Sequence, residues 1–203
     1  MPRSKSTAHI FVDYVDAIPT SALQPFVDAV AAQGLTVETA VHPTPGPMAG
    51  VHWLLPTAAV LYFAKSYFDG FLKEAGKDHY ELLKKGVGLL WTQFFGDDRS
   101  FRMTLVGSSG KIRADDNYSV ALSLMADAGP GLTFKLLIPD DCGVEEFTGL
   151  ISMFLAFLSD YYAGSVDAST QRRLTNAPLR GRVIPMAYDR RSGQFIFLDP
   201  VRK

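Results

Sequence analysis

Two carboxylates, Asp13 and Asp16, stand at the end of the apolar run HIFVDYV at 9–15. If that run is a strand, they lie at its C-terminal end, the edge where open α/β sheets bind ligands, and carboxylates there can hold Mg²⁺ beside a phosphate. The pair D-Y-V-D lacks the Thr, Lys or third carboxylate that would complete such a site, and capping the helix that begins near residue 20 is its plainer role. Cys142 opens a long apolar helix, where backbone N–H groups and the macrodipole favour a thiolate. Asp140 and Asp141 before it, and Glu145 and Glu146 after it, raise a thiol pKa and suit an acidic helix start with Asp caps, which makes the cysteine structural. The four histidines, His9, His42, His52 and His79, contain no HxxxH or HExxH pair, so no metal site is expected. His42 and His52 bracket a proline-rich loop, and His79 lies in KDHYELLKK, where Asp78 can cap a helix and the charges form a solvated face. GSSGK at 107–111 has Leu105 in place of the first Walker glycine and Ile112 in place of Ser or Thr, so it reads as a hairpin turn. No cofactor is implied by any motif.

Charge is unevenly spread. Residues 1–163 carry 12 basic and 18 acidic side chains, whereas 164–203 carry 8 and 3. Arg172, Arg173, Arg190 and Arg191 are therefore candidate binding residues for phosphate or an acidic protein partner, since guanidinium groups recognise both bidentately. Nucleic acid would suit the charge, but interleaved aromatics and a nucleic-acid motif are missing, and docking onto the chain's own acidic body is an equal reading.

The elements that must position these residues follow from periodicity. HIFVDYV, an amphipathic stretch with Leu23, Phe26, Val27 and Val30, and LTVETAVH form a strand, helix and strand, hence a βαβ unit with parallel strands. Thr20 or Ser21 can cap its helix. HPTPGPMAG at 42–50 is a loop. A helix from Pro56 to about Ala75, broken or capped at Gly76, precedes a second from Asp78 to Phe95; alternatively AAVLYFA is a buried strand. FRMTLVG, YSVALSLM and LTFKLLI read as an antiparallel meander. A long helix starts near Gly143, with Phe147, Leu150, Phe154, Leu158, Tyr161 and Tyr162 on its apolar face. After a polar connector, RVIPMAY and QFIFLD close the chain as a hairpin. The expected fold is α/β (or α+β), with these elements around a mixed sheet in a single domain over 1–203 and a sub-boundary near 96–100.

With 203 residues, a net charge of −1, 47% hydrophobic and 12% aromatic residues, the chain can bury a substantial core and is too apolar for disorder. One cysteine excludes an intrachain disulfide and suits a reducing cytoplasm. Neither apolar run, Trp53 to Ala64 or Phe147 to Leu158, has the length of a membrane span.

The box YFAKSYFDGFLKEAGKDHYELLKKG at 62–86 resembles a segment that recurs in uncharacterised bacterial proteins of similar length. FVDYVD, the following helix and GLTVE are similar to the first strand, helix and second strand of TIR domains, and AVLYFAKSYF resembles their third strand and adjoining S-x-Y segment. Asp13-Tyr14 stands where that family has Ser-Tyr, and its W-x-x-x-E pattern is absent. In TIR domains that hydrolyse NAD the catalytic residue is a glutamate in the next helix, which that resemblance places at Glu74. The expectation is a soluble, cytoplasmic bacterial binding or accessory domain acting through a protein or ligand, with TIR-like NAD hydrolysis or metal-dependent phosphate chemistry as alternatives.

Overall fold

The computed structural model describes residues 8–44, 57–96, 118–179 and 182–198, with 73–78 by backbone alone. Among the described residues seven strands form one mixed sheet in the order β2-β1-β3-β4-β5-β6-β7. They are β1 (Ile10–Val15), β2 (Val37–His42), β3 (Ala59–Phe63), β4 (Tyr118–Asp127), β5 (Thr133–Pro139), β6 (Val183–Asp189) and β7 (Gln194–Phe197). The helices are α1 (Thr20–Val30), a π-helical turn (Tyr67–Phe71) running directly into α2 (Leu72–Phe94), α3 (Val144–Ala163) and α4 (Ala168–Thr175).

Period-two alternation sorts each strand into two faces. Cross-strand partners Val12, Leu61, Leu124, Leu136, Met186 and Phe197 make one row across the sheet. That face joins Phe26 of α1, Leu90 of α2 and Phe154 of α3 in one hydrophobic core, so these helices form a single layer over it. On α3 six apolar side chains spaced by three or four residues are buried, from Phe147 to Leu158. Each is worth roughly 1.5–3 kcal/mol before entropy is counted, enough to hold the helix to the sheet. The other face carries the row Glu38, Phe11, Tyr62, Met125, Lys135 and Pro185.

Parallel pairs join β1 with β2, β3 with β4 and β5 with β6, while β1/β3, β4/β5 and β6/β7 are antiparallel. The sheet is thus three strand–helix–strand units and a closing strand. β1 and β5 point the same way with their helices on the same face, yet β2 and β6 lie on opposite sides of them. The two crossovers consequently have opposite hands, and only one can follow the right-handed preference.

The first βαβ unit, the β4/β5 pair, α3 and the closing hairpin match the sequence expectation. Residues 59–63 do not form the start of a helix: AVLYF is a strand between β1 and β4, the alternative the apolar run allowed. Its β-branched and aromatic residues suit a central strand covered on both edges. The expected break at Gly76 is also absent, since α2 runs through it. A helical glycine costs about 1 kcal/mol, less than the buried face of Leu83, Val87, Leu90 and Phe94 returns. The connector after α3 contains α4, whose N-terminus is capped by Asp167 accepting from the Ser169 and Thr170 amides. On α1 neither Thr20 nor Ser21 caps: Pro19 holds the cap position, and Thr20 Oγ1 instead bonds the Tyr14 hydroxyl at 3.0 Å. The strand FRMTLVG, the turn GSSGK, His52 and the proline-rich loop beyond Thr44 lie outside the described residues.

Gly86 sets the approach of α1 to α2. A Cβ there would lie 2.8 Å from Val30 Cγ1 and 3.1 Å from Phe26 Cδ2, whereas one at Gly88 would meet nothing within 4 Å. Gly86→Leu should lose about 2 kcal/mol or more by overpacking, and Gly88→Leu should not. Urea unfolding of the two variants checks this.

Candidate functional site

α3 ends over the tight turn between β4 and β5, and its last turn presents two adjacent tyrosines to that turn. Tyr161 donates its hydroxyl to the Ala128 carbonyl at 2.9 Å, and Tyr162 donates to the Asp127 carbonyl at 2.7 Å. The turn accepts them because Gly129 (φ 103°) and Gly131 (φ 72°) supply left-handed backbone around Pro130. Phe134 meets the Tyr161 ring edge-on at 5.0 Å, and Phe68 lies 5.1 Å from Tyr162, so both rings are held by packing as well as by their hydroxyls.

These tyrosines, with Lys65, Asp127, Gly129 and Pro130, line a cleft of about 560 Å³ whose exposed lining is mainly apolar. Asp127 ends β4; its carboxylate accepts from the Tyr62 hydroxyl and from the Lys65 amide at 3.4 Å. It therefore caps the incoming turn of helix from a neighbouring strand, a favourable place for an anion. The Lys65 ammonium pairs with Asp69 and lies 5.7 Å from the centre of the Tyr162 ring. Burial raises the Tyr162 phenol pKa, and the charge of Asp127 raises it further, followed by smaller effects that include Asp69. The rings are thus neutral, immobilised walls.

The residues singled out from the sequence are dispersed. Asp13 faces away from the helices in mid-sheet, on the side shared by Glu38 and His42 across the β1/β2 pair. Asp16 lies just past β1 and binds the Thr44 amide at 3.0 Å and hydroxyl at 2.5 Å, contacts that hold its pKa below the usual carboxylate range. It ties the end of β2 to β1 rather than capping α1. No group of three or more His, Cys, Asp or Glu suited to a metal occurs among the described residues. Glu74 falls within α2, in the helix that follows β3. Cys142 is buried and its thiol is pushed up to about 12, first by burial and then by Glu146, so at neutral pH it is a protonated packing group.

Two of the four arginines are engaged internally. Arg190 pairs with Asp141 at 2.9 Å and Glu146 at 2.6 Å, which is docking on the chain's own acidic body. Asp141 therefore serves Arg190, and the N-cap of α3 is Gly143. Arg173 donates to the Phe195 carbonyl at 3.0 Å and to Thr170 at 3.1 Å. Arg172 and Arg191 are exposed. Arg173 lines a cleft of about 380 Å³ with Phe157 and Tyr188, and Arg190 and Arg191 line another of about 300 Å³.

The burial of two groups is not anticipated from the sequence, which has His79 as structural on a solvated face and does not single out Lys135. His79 is 2% exposed rather than on a solvated face. Its Nε2 lies 3.1 Å from the Val30 carbonyl and its Nδ1 3.2 Å from the Tyr67 hydroxyl. A carbonyl can only accept, so Nε2 carries the proton and Nδ1 accepts from Tyr67. Lys135 is 5% exposed on the sheet face away from the helices, and burial lowers its pKa to about 8. The alternation of LTFKLLI marked its position as inward or outward but could not show that both faces of β5 are covered.

Among the described residues the fold is α/β, one mixed sheet with α1, α2 and α3 packed in a shared core on one face. No protein-family model, curated protein or solved structure matches the chain. No single helix among the described residues is long and apolar enough to cross a membrane.

Proposed function

We propose that this chain is a binding domain, a bacterial, cytoplasmic accessory module that acts through a small ligand it holds rather than through a reaction of its own. The observation that carries this reading is the tyrosine-walled cleft of about 560 Å³ between the β4/β5 turn, Lys65 and the end of α3. Its size, its mainly apolar lining and its few convergent polar groups are those of small-molecule sites. Its walls are set before any ligand arrives, which reduces the ordering cost of binding.

The test is a solution NMR screen of small amines, carboxylates, phosphates and neutral aromatics against the wild type and Tyr162→Ala. At least one class should shift the resonances of Gly129, Tyr161 and Tyr162, and the shifts should disappear in the variant. A ligand at a hundredfold excess over its Kd should also raise the unfolding free energy by about 2.7 kcal/mol. A screen in which no class perturbs these residues overturns the proposal.

NAD hydrolysis of the TIR kind is the second reading. Its support is the position of Glu74 in the helix after β3, together with the parallel β1–α1–β2 unit. Against it, β3 runs antiparallel to β1, unlike the parallel sheet that the resemblance implies. Metal-assisted phosphate chemistry at Asp13 and Asp16 has less support, because Asp16 is already held by Thr44.

A further inference from the structure

We infer that the cleft at the end of α3 takes an organic ammonium ion, and that the Lys65 side chain is an internal competitor for the same position. This rests on the reading of the cleft as a binding site and adds its ligand class. Tyr161 and Tyr162 have committed their hydroxyl protons to the Ala128 and Asp127 carbonyls. Their oxygens can still accept, and the Tyr162 ring, over which the Lys65 ammonium lies, offers a face that attracts cations, whereas Tyr161 stacks on Phe157. The charges agree. Lys65 is paired with Asp69, and the Asp127 carboxylate is the other charge in the lining, while the Arg182 guanidinium lies outside it beside Gly131. Burial is the main cause of the raised Tyr162 phenol pKa, and the charges of Asp127 and Asp69 add to it.

The position of the competitor supplies the template. The Lys65 ammonium lies 5.7 Å from the Tyr162 ring centre, within the range of cation–π attraction, while its side chain remains 53% exposed. An exposed lysine on a flexible stem is held weakly, so a ligand cation with apolar substituents, less strongly hydrated than an ammonium, can replace it at the ring. The cleft, at about 560 Å³, is far larger than one ammonium group and can take the substituents as well. A carboxylate or phosphate ligand would meet the Asp127 carboxylate in the lining, and the one lysine there is already paired with Asp69.

Three probes of matched shape separate the classes: choline, the neutral alcohol in which carbon replaces its nitrogen, and the anion pivalate. Binding is followed by NMR at Tyr161, Tyr162 and Gly129. Choline should bind about tenfold more tightly than its neutral isostere, and pivalate least. Lys65→Met should tighten choline binding severalfold and leave the isostere unchanged, whereas Tyr162→Leu should weaken choline about tenfold or more. Lys65 is a surface residue, so its variant reads the proposal even if Tyr162→Leu folds poorly. Equal or tighter binding of the isostere at these resonances overturns the ammonium inference while the cleft remains a binding site. Failure of choline to bind both the wild type and Lys65→Met also overturns it, and the broader screen then decides separately whether the cleft binds anything.

Discussion

Replacing His79 with alanine should cost about 3 kcal/mol of stability, measured by chemical unfolding at neutral pH. The substitution leaves a cavity between α1 and α2, and it strands the Val30 carbonyl and the Tyr67 hydroxyl, both of which the imidazole now satisfies. The same contact makes the wild type acid-sensitive. Burial lowers the His79 pKa from its ordinary value of 6.5, so the unfolded chain takes up a proton before the folded one does. Where the unfolded state binds more protons, stability rises with pH. The contribution of His79 is therefore complete above pH 6.5 and is lost as the pH falls below it. His79→Gln, which keeps a donor and an acceptor but does not titrate, should be less stable at neutral pH and have a shallower loss between neutral and mildly acidic conditions. An unchanged slope would show that other groups drive the acid response.

At the alkaline end, stability should first rise and then fall. Lys135 is shifted from 10.5 down to about 8 by burial, so between those values the unfolded chain holds a proton that the folded one has released. One pKa unit corresponds to about 1.4 kcal/mol, and the rise from this group should reach about 2–3 kcal/mol. Tyr67 and Tyr162 act in the opposite sense, since burial raises both above the ordinary value of 10.0. Their contribution is complete below pH 10 and lost above it, as the unfolded chain ionises first. Cys142, raised from 9.0 to about 12, also acts in the opposite sense and cancels the Lys135 slope from pH 9 upward, so the net rise is about 1 kcal/mol and is confined to the interval from about 8 to 9. Lys135→Met should flatten it and leave the fall above it intact. A variant that retains the rise would assign it elsewhere.

The two titrations show where composition and pattern stop being informative. KDHYELLKK reads as a charged, solvated turn of helix, and most of its polar residues give no hint that one of them faces inward. His79 is buried because α2 continues unbroken from the π-helical turn and because α1 ends where its imidazole can reach Val30. Close approach of the two helices, permitted by Gly86 against Val30 and Phe26, is a property of the pair and of neither sequence segment alone. The candidate site has the same character. Tyr161 and Tyr162 belong to the apolar face of α3 by spacing, and that is where they lie, yet their chemistry comes from the β4/β5 turn they touch.

α4 was legible in part. Asp167 with Ser169 and Thr170 two and three residues on is a capping pattern, and Arg172 and Arg173 in the last turn complement the helix dipole. Polarity on every side hid it, since the helix has no buried residue to produce a periodic signal. The arginine cluster divides for a related reason. Counting charges showed an excess of positive side chains near the C-terminus, but whether a guanidinium meets solvent or its own protein depends on what folds beside it. The β6/β7 hairpin brings Arg190 to Asp141 and Glu146, residues more than 40 positions away in the chain.

By itself the sequence determined the elements whose side chains alternate or recur strongly enough to have one buried face: β1, α1, β2, the β4/β5 pair, α3 and the closing hairpin. Such periodicity is local, because it reflects how neighbouring residues share a single surface. Tertiary structure alone decided that AVLYF is a strand, that β3 opposes β1, that the last crossover has the other hand, and that a lysine, a carboxylate and two tyrosines from three separate segments surround one cleft. A short apolar run is equally content in a buried helix or a buried strand, and only its partners across the sheet choose between them. Convergence of side chains from distant segments likewise leaves no periodic mark, since the contacts that produce it exist only after the chain has closed on itself.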